Sequence, residues 1–396
     1  MKIVFLIGSA SIGGVQICHF QLFQKLMMRG YDIQLFTLKD GPLLKSLPIE
    51  FYNKSQLGEM ADFIIFLSEF KPDVVHVASQ ELEVGAGYIK SIFPKTRVVV
   101  SVHGAIPVGW NKQNCDSIVA ISNWLVRPSE IIARMPVTCI YNGIDSKKFK
   151  MIEKYNQEKP ILLWVGRAND KIKQIEKLGR IAKNIFENNI RIWVISPSPM
   201  EEIEHFDALK YLGPYVERWE GVSKDEMPKI YQHVASAGGS LLMTSKREGL
   251  PSISIEAQSC GCPLIGINVR GINETISPND ASILFEENLS DNGLASLVIL
   301  RLKQRQLQKQ RGIDSSNYII EKFSSDNIVG RYIDIYKGIN LKEEISISYL
   351  EYLKSYLTWF RYYFLSERPQ IKRSVLEIIE NLDKKGYQLL SKKMLN

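Results

Sequence analysis

The 396-residue chain carries no D-x-D, no G-K-[ST], no H-E-x-x-H and no G-x-S-x-G. Nothing therefore points to metal-bridged diphosphate chemistry, a phosphate-binding P-loop, a zinc peptidase or a serine hydrolase. No nucleophile stands paired with a base. The five cysteines, Cys18, Cys115, Cys139, Cys260 and Cys262, include no C-x-x-C pair. Cys260-Gly-Cys262 is too tight for usual zinc-ligand spacing and falls at a helix end, so reduced structural thiols are expected, and no metal. No stretch approaches the roughly 20 apolar residues of a membrane span. The opening MKIVFLIG is a short strand running into a glycine turn, unlike a signal peptide. These features predict a cytoplasmic protein. The net charge of +7 suits phosphorylated ligands or an anionic membrane surface, and is too diffuse to indicate nucleic acid.

What is present is a repeated strand–helix alternation. At 396 residues two domains of about 150–200 residues each are expected. Residues 2–7 read as a buried strand, 8–14 as a glycine loop, 15–29 as a helix ending at Gly30, and 31–36 as the next strand. This is a Rossmann-like βαβ opening. It does not match G-x-G-x-x-G, and Thr37 stands where an acidic ribose partner would end the second strand, so NAD is a weak reading. Strands at 74–77, 97–102, 117–121 and 138–140 alternate with helices at 58–70 and 83–92, which implies a parallel sheet. An Asn142-Gly143 turn and a polar stretch at 147–160 close this domain. The pattern restarts with strand 161–165, helix 174–187 and strand 191–195. Ser223 followed by Glu226 reads as a capping box opening a helix through Tyr231.

Residues 244–265, TSKREGLPSISIEAQSCGCPLI, concentrate the chemistry. A buried strand leads into a loop carrying Glu248. Gly249, Leu250 and Pro251 then turn the chain into a helix starting near Ser252, with Glu256 one turn inside and Gly261 after its end. In an open α/β sheet the crevice at the strands' C-terminal ends is where ligands bind, and the free N–H groups of a helix start suit an anion.

This stretch resembles the nucleotide-sugar site of GT-B glycosyltransferases, specifically the retaining family 4. The resemblance rests on EGLP with a second Glu eight residues on, then A-x-x-x-G-x-P-L-I. It extends to SVHG at 101–104, YNGID-xxx-F at 141–149 and G-x-x-E at 271–274. It implies two Rossmann-like domains facing across a cleft, plus a helical C-terminal extension: residues 1–145, a linker 146–160, a nucleotide-sugar domain 161–325, a helix 326–340 crossing back, and 341–396 beyond. It implies a UDP- or GDP-linked sugar donor, no resident cofactor, and a glycan, lipid-linked or protein acceptor.

Two carboxylates beside a diphosphate would repel it by several kcal/mol in a low-dielectric cleft. Glu248 should therefore address sugar hydroxyls and Glu256 the ribose diol. Arg167, ending the second domain's first strand, is the expected phosphate cation. The family pairs it with a lysine, here Lys171 or Lys173, the latter fitting the longer loop. His103 is expected to hydrogen-bond the donor sugar or β-phosphate, whereas His19 and His76 read as structural. Gly13 and Gly14 either admit backbone close to phosphate or acceptor, or form a plain tight turn. Glu274 either bonds within the site or is a helix-start carboxylate. The resemblance also implies retention, with the leaving diphosphate taking the acceptor's proton. An epimerase or phosphorylase of similar shape, and a non-catalytic partner subunit, are the alternatives. In the extension, eight aromatics at 349–364 stand among basic residues; they suit a membrane interface, or packing and dimerisation.

Overall fold

The computed structural model describes residues 1–339 except 12, 78–85, 105–108, 153–155, 157, 169, 197–211 and 279–283. The expected extension at 341–396 and residues 83–85 of the expected helix at 83–92 lie outside the described residues; within the latter, Ile89–Ile92 is helical.

Strands β1 (Lys2–Ile7), β2 (Asp32–Thr37), β3 (Ser55–Leu57), β4 (Val74–Val77), β5 (Arg97–Val102), β6 (Ser117–Ala120) and β7 (Val137–Cys139) form one sheet in the order 3-2-1-4-5-6-7. Strands β8 (Ile161–Val165), β9 (Arg191–Ser196), β10 (Glu217–Glu220), β11 (Ser240–Met243), β12 (Leu264–Ile267) and β13 (Leu284–Phe285) form the second, in the order 10-9-8-11-12-13. Every pairing is parallel. Parallel strands covered on both faces need apolar runs rather than alternation. The segments IVFLI, VVHV and SLLM supply such runs, and each is buried throughout.

In each sheet the order reverses beside its first strand, between β1 and β4 and between β8 and β11. Those reversals open the crevices in which doubly wound sheets hold ligands. Helix α1 (Gly14–Met28) follows β1; α2 (Met60–Phe70) precedes β4, and α3 (Asn123–Ala133) follows β6. In the second half, α4 (Ile175–Glu187), α5 (Met227–Ser236) and α6 (Ser252–Ser259) are followed by α7 (Asp291–Lys303), α8 (Arg305–Phe323) and α9 (Ser325–Lys337).

The capping-box reading of Ser223 needs correction. Helix α5 starts at Met227, with Pro228 in its first turn, and Ser223 lies before it. The Glu226 carboxylate accepts the Ser223 N–H (2.9 Å), as in a box, but the Ser223 hydroxyl also donates to it (2.6 Å). Pro228 has no N–H to continue a ladder, so it is tolerated only near the start of the helix, which sets the entry three residues later than the motif suggests.

The closing helix spans Ser325–Lys337, starting one residue before the expected 326, where Ser324 leaves helical geometry and bridges Ile144. Helix α9 then docks on the first domain. His76 Nδ1 meets the Tyr336 hydroxyl at 2.7 Å, His76 Nε2 meets the Ser101 hydroxyl at 2.5 Å, and Arg29 reaches Asp326. The two domains consequently share apolar core through Ile144, Phe149, Phe323 and Tyr332.

Candidate active site

Loops leaving β5, β8, β11 and β12 meet between the domains. The loop after β8 is folded against the loop after β11. Thr244 donates to the Lys173 carbonyl (2.7 Å) and accepts from the Trp164 indole (3.1 Å), while the Lys246 N–H reaches the Ile172 carbonyl (2.9 Å). Asp170 accepts the Ile172 N–H (3.0 Å), which shapes the turn. This framework places Lys173 Nζ 2.5 Å from Glu248 Oε1, with side-chain exposures of 19% and 13%. Lys171 is exposed on the same turn. Arg167 is also exposed and pairs with Asp170 at 2.7 Å.

Glu248 and Glu256 part company after the turn between them. Glu256 lies on α6 and lines a cavity of about 350 Å³ with Cys18 and Gln21 of α1, Asp145, Lys224 and Ser252. Loss of solvent there pushes the Glu256 carboxyl up from its ordinary value; Lys224, then Lys148 and the Tyr231 hydroxyl, oppose this without cancelling it. A carboxyl so placed accepts hydrogen bonds from a diol at little further desolvation cost. Pro251 precedes the helix and Ser252 begins it, so the first N–H groups of α6 face out of the helix end.

His103, after β5, has its Nε2 buried without a hydrogen-bonding partner. Its ring lies 4.7 Å from that of His19, which lies 5.1 Å from that of His76. Burial first, and the neighbouring imidazoles second, depress the affinity of His76 and His103 for protons. His103 is thus a neutral imidazole with an unspent nitrogen. His19 Nδ1–H donates to the Val15 carbonyl (2.8 Å). A cavity of about 400 Å³ opens beside these rings, lined also by Lys25, Tyr141 and Tyr332.

The glycines have particular jobs. A Cβ on Gly249 would stand 2.2 Å from the His103 carbonyl oxygen, so this residue is where the two domains touch backbone to backbone. Gly271, at φ +86°, passes against the Glu248 carbonyl, which a Cβ would approach to 2.3 Å. Gly13 sits at the N-cap of α1 with extended backbone, and a Cβ on Gly14 would meet nothing within 4 Å. Leu250 is buried behind the turn.

Two contributors lack any sequence signal. Trp124, at the start of α3, donates its indole N–H to the Gly249 carbonyl (2.9 Å) from the other domain. Lys224 faces Glu256, although its neighbours Ser223 and Glu226 read only as a helix entry. Both depend on contacts between segments about a hundred residues or more apart, or on where a turn points, and neither leaves a periodicity. Among the described residues no group of three or more His, Cys, Asp or Glu side chains could hold a metal ion, and no helix is long and apolar enough to cross a membrane.

Comparison with known proteins bears on this arrangement. The family described as glycosyl transferases group 1 matches residues 145–316, and glycosyltransferase family 4 matches residues 12–148. The chain is 21% identical to an N-acetyl-alpha-D-glucosaminyl L-malate synthase of Bacillus anthracis, over 83% of this chain and 95% of that one. It is 23% identical to a UDP-Gal:alpha-D-GlcNAc-diphosphoundecaprenol alpha-1,3-galactosyltransferase of Escherichia coli, over 82% and 94%. Among solved structures, Anabaena HepE in complex with UDP and glucose superposes with a TM-score of 0.69 at 15% identity, covering 86% of this chain and all (100%) of that one. The two match regions overlap at 145–148, just after the Asn142-Gly143 turn that joins the sheets. On the fold and on both matches, the chain belongs to the group 1 glycosyltransferases and has the GT-B architecture.

Proposed function

We propose that the chain transfers a sugar, with retention of anomeric configuration, from a UDP-linked donor to a hydroxyl of a glycan, lipid-linked or protein acceptor in the cytoplasm, without a metal or resident cofactor. The observation that carries this reading is the Lys173–Glu248 pair, held at the point where Gly249 meets His103. The two charges neutralise one another across 2.5 Å. A donor diphosphate satisfies the lysine in the carboxylate's place, and Glu248 then accepts from the sugar hydroxyls. Arg167, exposed and paired with Asp170 at the surface, adds the second cation by exchanging that carboxylate for phosphate. The first N–H groups of α6 complete the anion cradle. Glu256 takes the ribose diol, and the neutral His103 offers its unspent nitrogen to the sugar or β-phosphate.

UDP as the nucleotide is supported by the relatives: the E. coli enzyme is a UDP-Gal galactosyltransferase, and HepE has been solved in complex with UDP and with UDP-glucose. In the reaction the bond from C1 to the diphosphate oxygen breaks and the acceptor oxygen bonds C1 on the same face. The acceptor's proton passes to the leaving diphosphate, so no side-chain base is required. The protein orients the partners and stabilises charge.

Melting-temperature shifts over a panel of nucleotide sugars test the donor. A ligand at 100 times its dissociation constant stabilises by about 2.7 kcal/mol, a rise of several degrees for domains of this size. UDP and one UDP-sugar should produce it. A panel in which GDP- or ADP-sugars alone do so overturns the UDP assignment. A product whose anomeric configuration is opposite to the donor's, read by NMR at the anomeric proton, would overturn retention.

Arg167→Ala should lower kcat/KM by about 100-fold, the scale on which a single charge-stabilising donor acts. With wild type, a chelator should leave the rate within about twofold, since both phosphate cations are side chains. A rate abolished by the chelator and restored by a divalent ion contradicts metal independence.

A further inference from the structure

Helix α3 of the first domain begins without a cap of its own. Its N-cap residue, Ser122, has extended backbone (φ −153°, ψ 152°) and makes no side-chain capping bond, and its hydroxyl is buried without a partner. Serine there ordinarily accepts from an N–H of the first turn. Here the first two N–H groups leave the domain altogether. Asn123 N–H donates to Glu274 Oε2 at 2.7 Å and Trp124 N–H to Glu274 Oε1 at 2.9 Å. Glu274 belongs to the loop after β12 in the second domain. The side chains of the same two residues continue the grip. The Trp124 indole holds the Gly249 carbonyl (2.9 Å), beside Glu248, and the Asn123 amide donates to the Tyr141 hydroxyl (2.7 Å) at the turn joining the domains. Glu274 is braced from behind, its carbonyl accepting from Lys322 Nζ (3.1 Å).

We propose that Glu274 and Trp124 form an interdomain clasp: the second domain supplies the missing cap of α3, and in return α3 fixes the donor-binding turn at Gly249. A carboxylate on two helix-start N–H groups makes charge-assisted bonds favoured by the helix dipole, and both bonds exist only when the domains are closed. The clasp therefore couples closure to the position of Glu248. Glu274 and Trp124 are positioning residues that touch neither sugar nor nucleotide. This proposal rests on the transferase reading for its kinetic consequences and on geometry alone for the closure it predicts.

Small-angle scattering, UDP titration calorimetry and kinetics on wild type, Glu274→Ala, Glu274→Gln and Trp124→Phe test it. Glu274→Ala should expand the chain in solution and lower kcat about tenfold or more, the scale of a coupling of 1–3 kcal/mol, while the dissociation constant for UDP stays within about threefold. Glu274→Gln keeps one acceptor oxygen and should fall between. Trp124→Phe keeps the ring, removes only the N–H, and should lower kcat without expanding the chain as far; if Glu274→Ala fails to fold, this variant decides. UDP affinity lost with scattering unchanged would mean that Glu274 contacts the donor, and overturns the clasp. So would wild-type scattering and kcat in both Glu274→Ala and Trp124→Phe. Should wild type transfer no sugar, the transferase reading fails, whereas the scattering comparison still decides the clasp.

Discussion

Glu248→Ala should abolish measurable transfer, a fall of about 100-fold or more in kcat, while the chain remains folded. The carboxylate sits 2.5 Å from Lys173 in the cleft, so its removal deletes the group proposed to orient the donor sugar and leaves the lysine without its partner. Loss of one preorganised polar group at a reacting centre costs about 2.7–4 kcal/mol of barrier. The stability cost is smaller. Breaking a fully enclosed ion pair costs about 3–5 kcal/mol, but Lys173 retains 19% of its side-chain exposure and can turn toward water. Glu248→Gln, which keeps the shape and one acceptor oxygen, should retain more activity than Ala. Steady-state rates beside melting curves give the answer. Full activity in Glu248→Ala with an unshifted melting temperature would remove the carboxylate from the site and with it the main support for the proposed donor geometry.

Gly249→Ala should be nearly as damaging for a different reason. Its Cβ would lie 2.2 Å from the His103 carbonyl oxygen. The obstructing atom is backbone at the end of β5, so no rotamer change relieves the clash, and one loop has to retreat. Retreat pulls the Trp124 indole off the Gly249 carbonyl and shifts Glu248 by a fraction of an ångström or more. Misplacement of about 1 Å at a reactive centre can cost about 100-fold in rate. Nucleotide binding, which in the proposed geometry draws on Arg167, the start of α6 and Glu256 within the second domain, should survive. The expected pattern is a large fall in kcat with UDP affinity nearly intact. Loss of UDP binding together with kcat would show instead that the turn itself holds the nucleotide, and equal activity would show that the domains need not approach this closely.

Much of this was legible in the order of residues. Apolar runs such as IVFLI and SLLM demand burial on both faces, and their alternation with helical segments leaves a parallel sheet as the economical solution. Gly30 and Gly261 stop helices by adopting positive φ, at +82° and +78°, where a side chain is strained. The sites of Glu248 and Glu256, at a strand's end and inside the following helix, follow from the same local rules.

Other features could not be read that way. Ser223 and Glu226 satisfy a capping pattern, yet the position of Pro228 moves the helix start, so one local rule overrode another. Lys173 rather than Lys171 faces Glu248 because Thr244, Trp164 and Lys246 fold one loop against another. Gly249 could be read as a turn glycine; that it is also the place where two backbones touch emerges only when the domains are set together. Glu274 remained open between a site ligand and a helix-start carboxylate. It proved to be a helix-start carboxylate, on a helix of the other domain. The sequence by itself determined the elements and the chemistry carried at their ends, because backbone conformation and burial act over a few neighbouring residues. Which ends meet, and which carboxylate serves which helix, was decided by the packing of segments some 150 residues apart, and contacts of that kind impose no spacing on the chain between them.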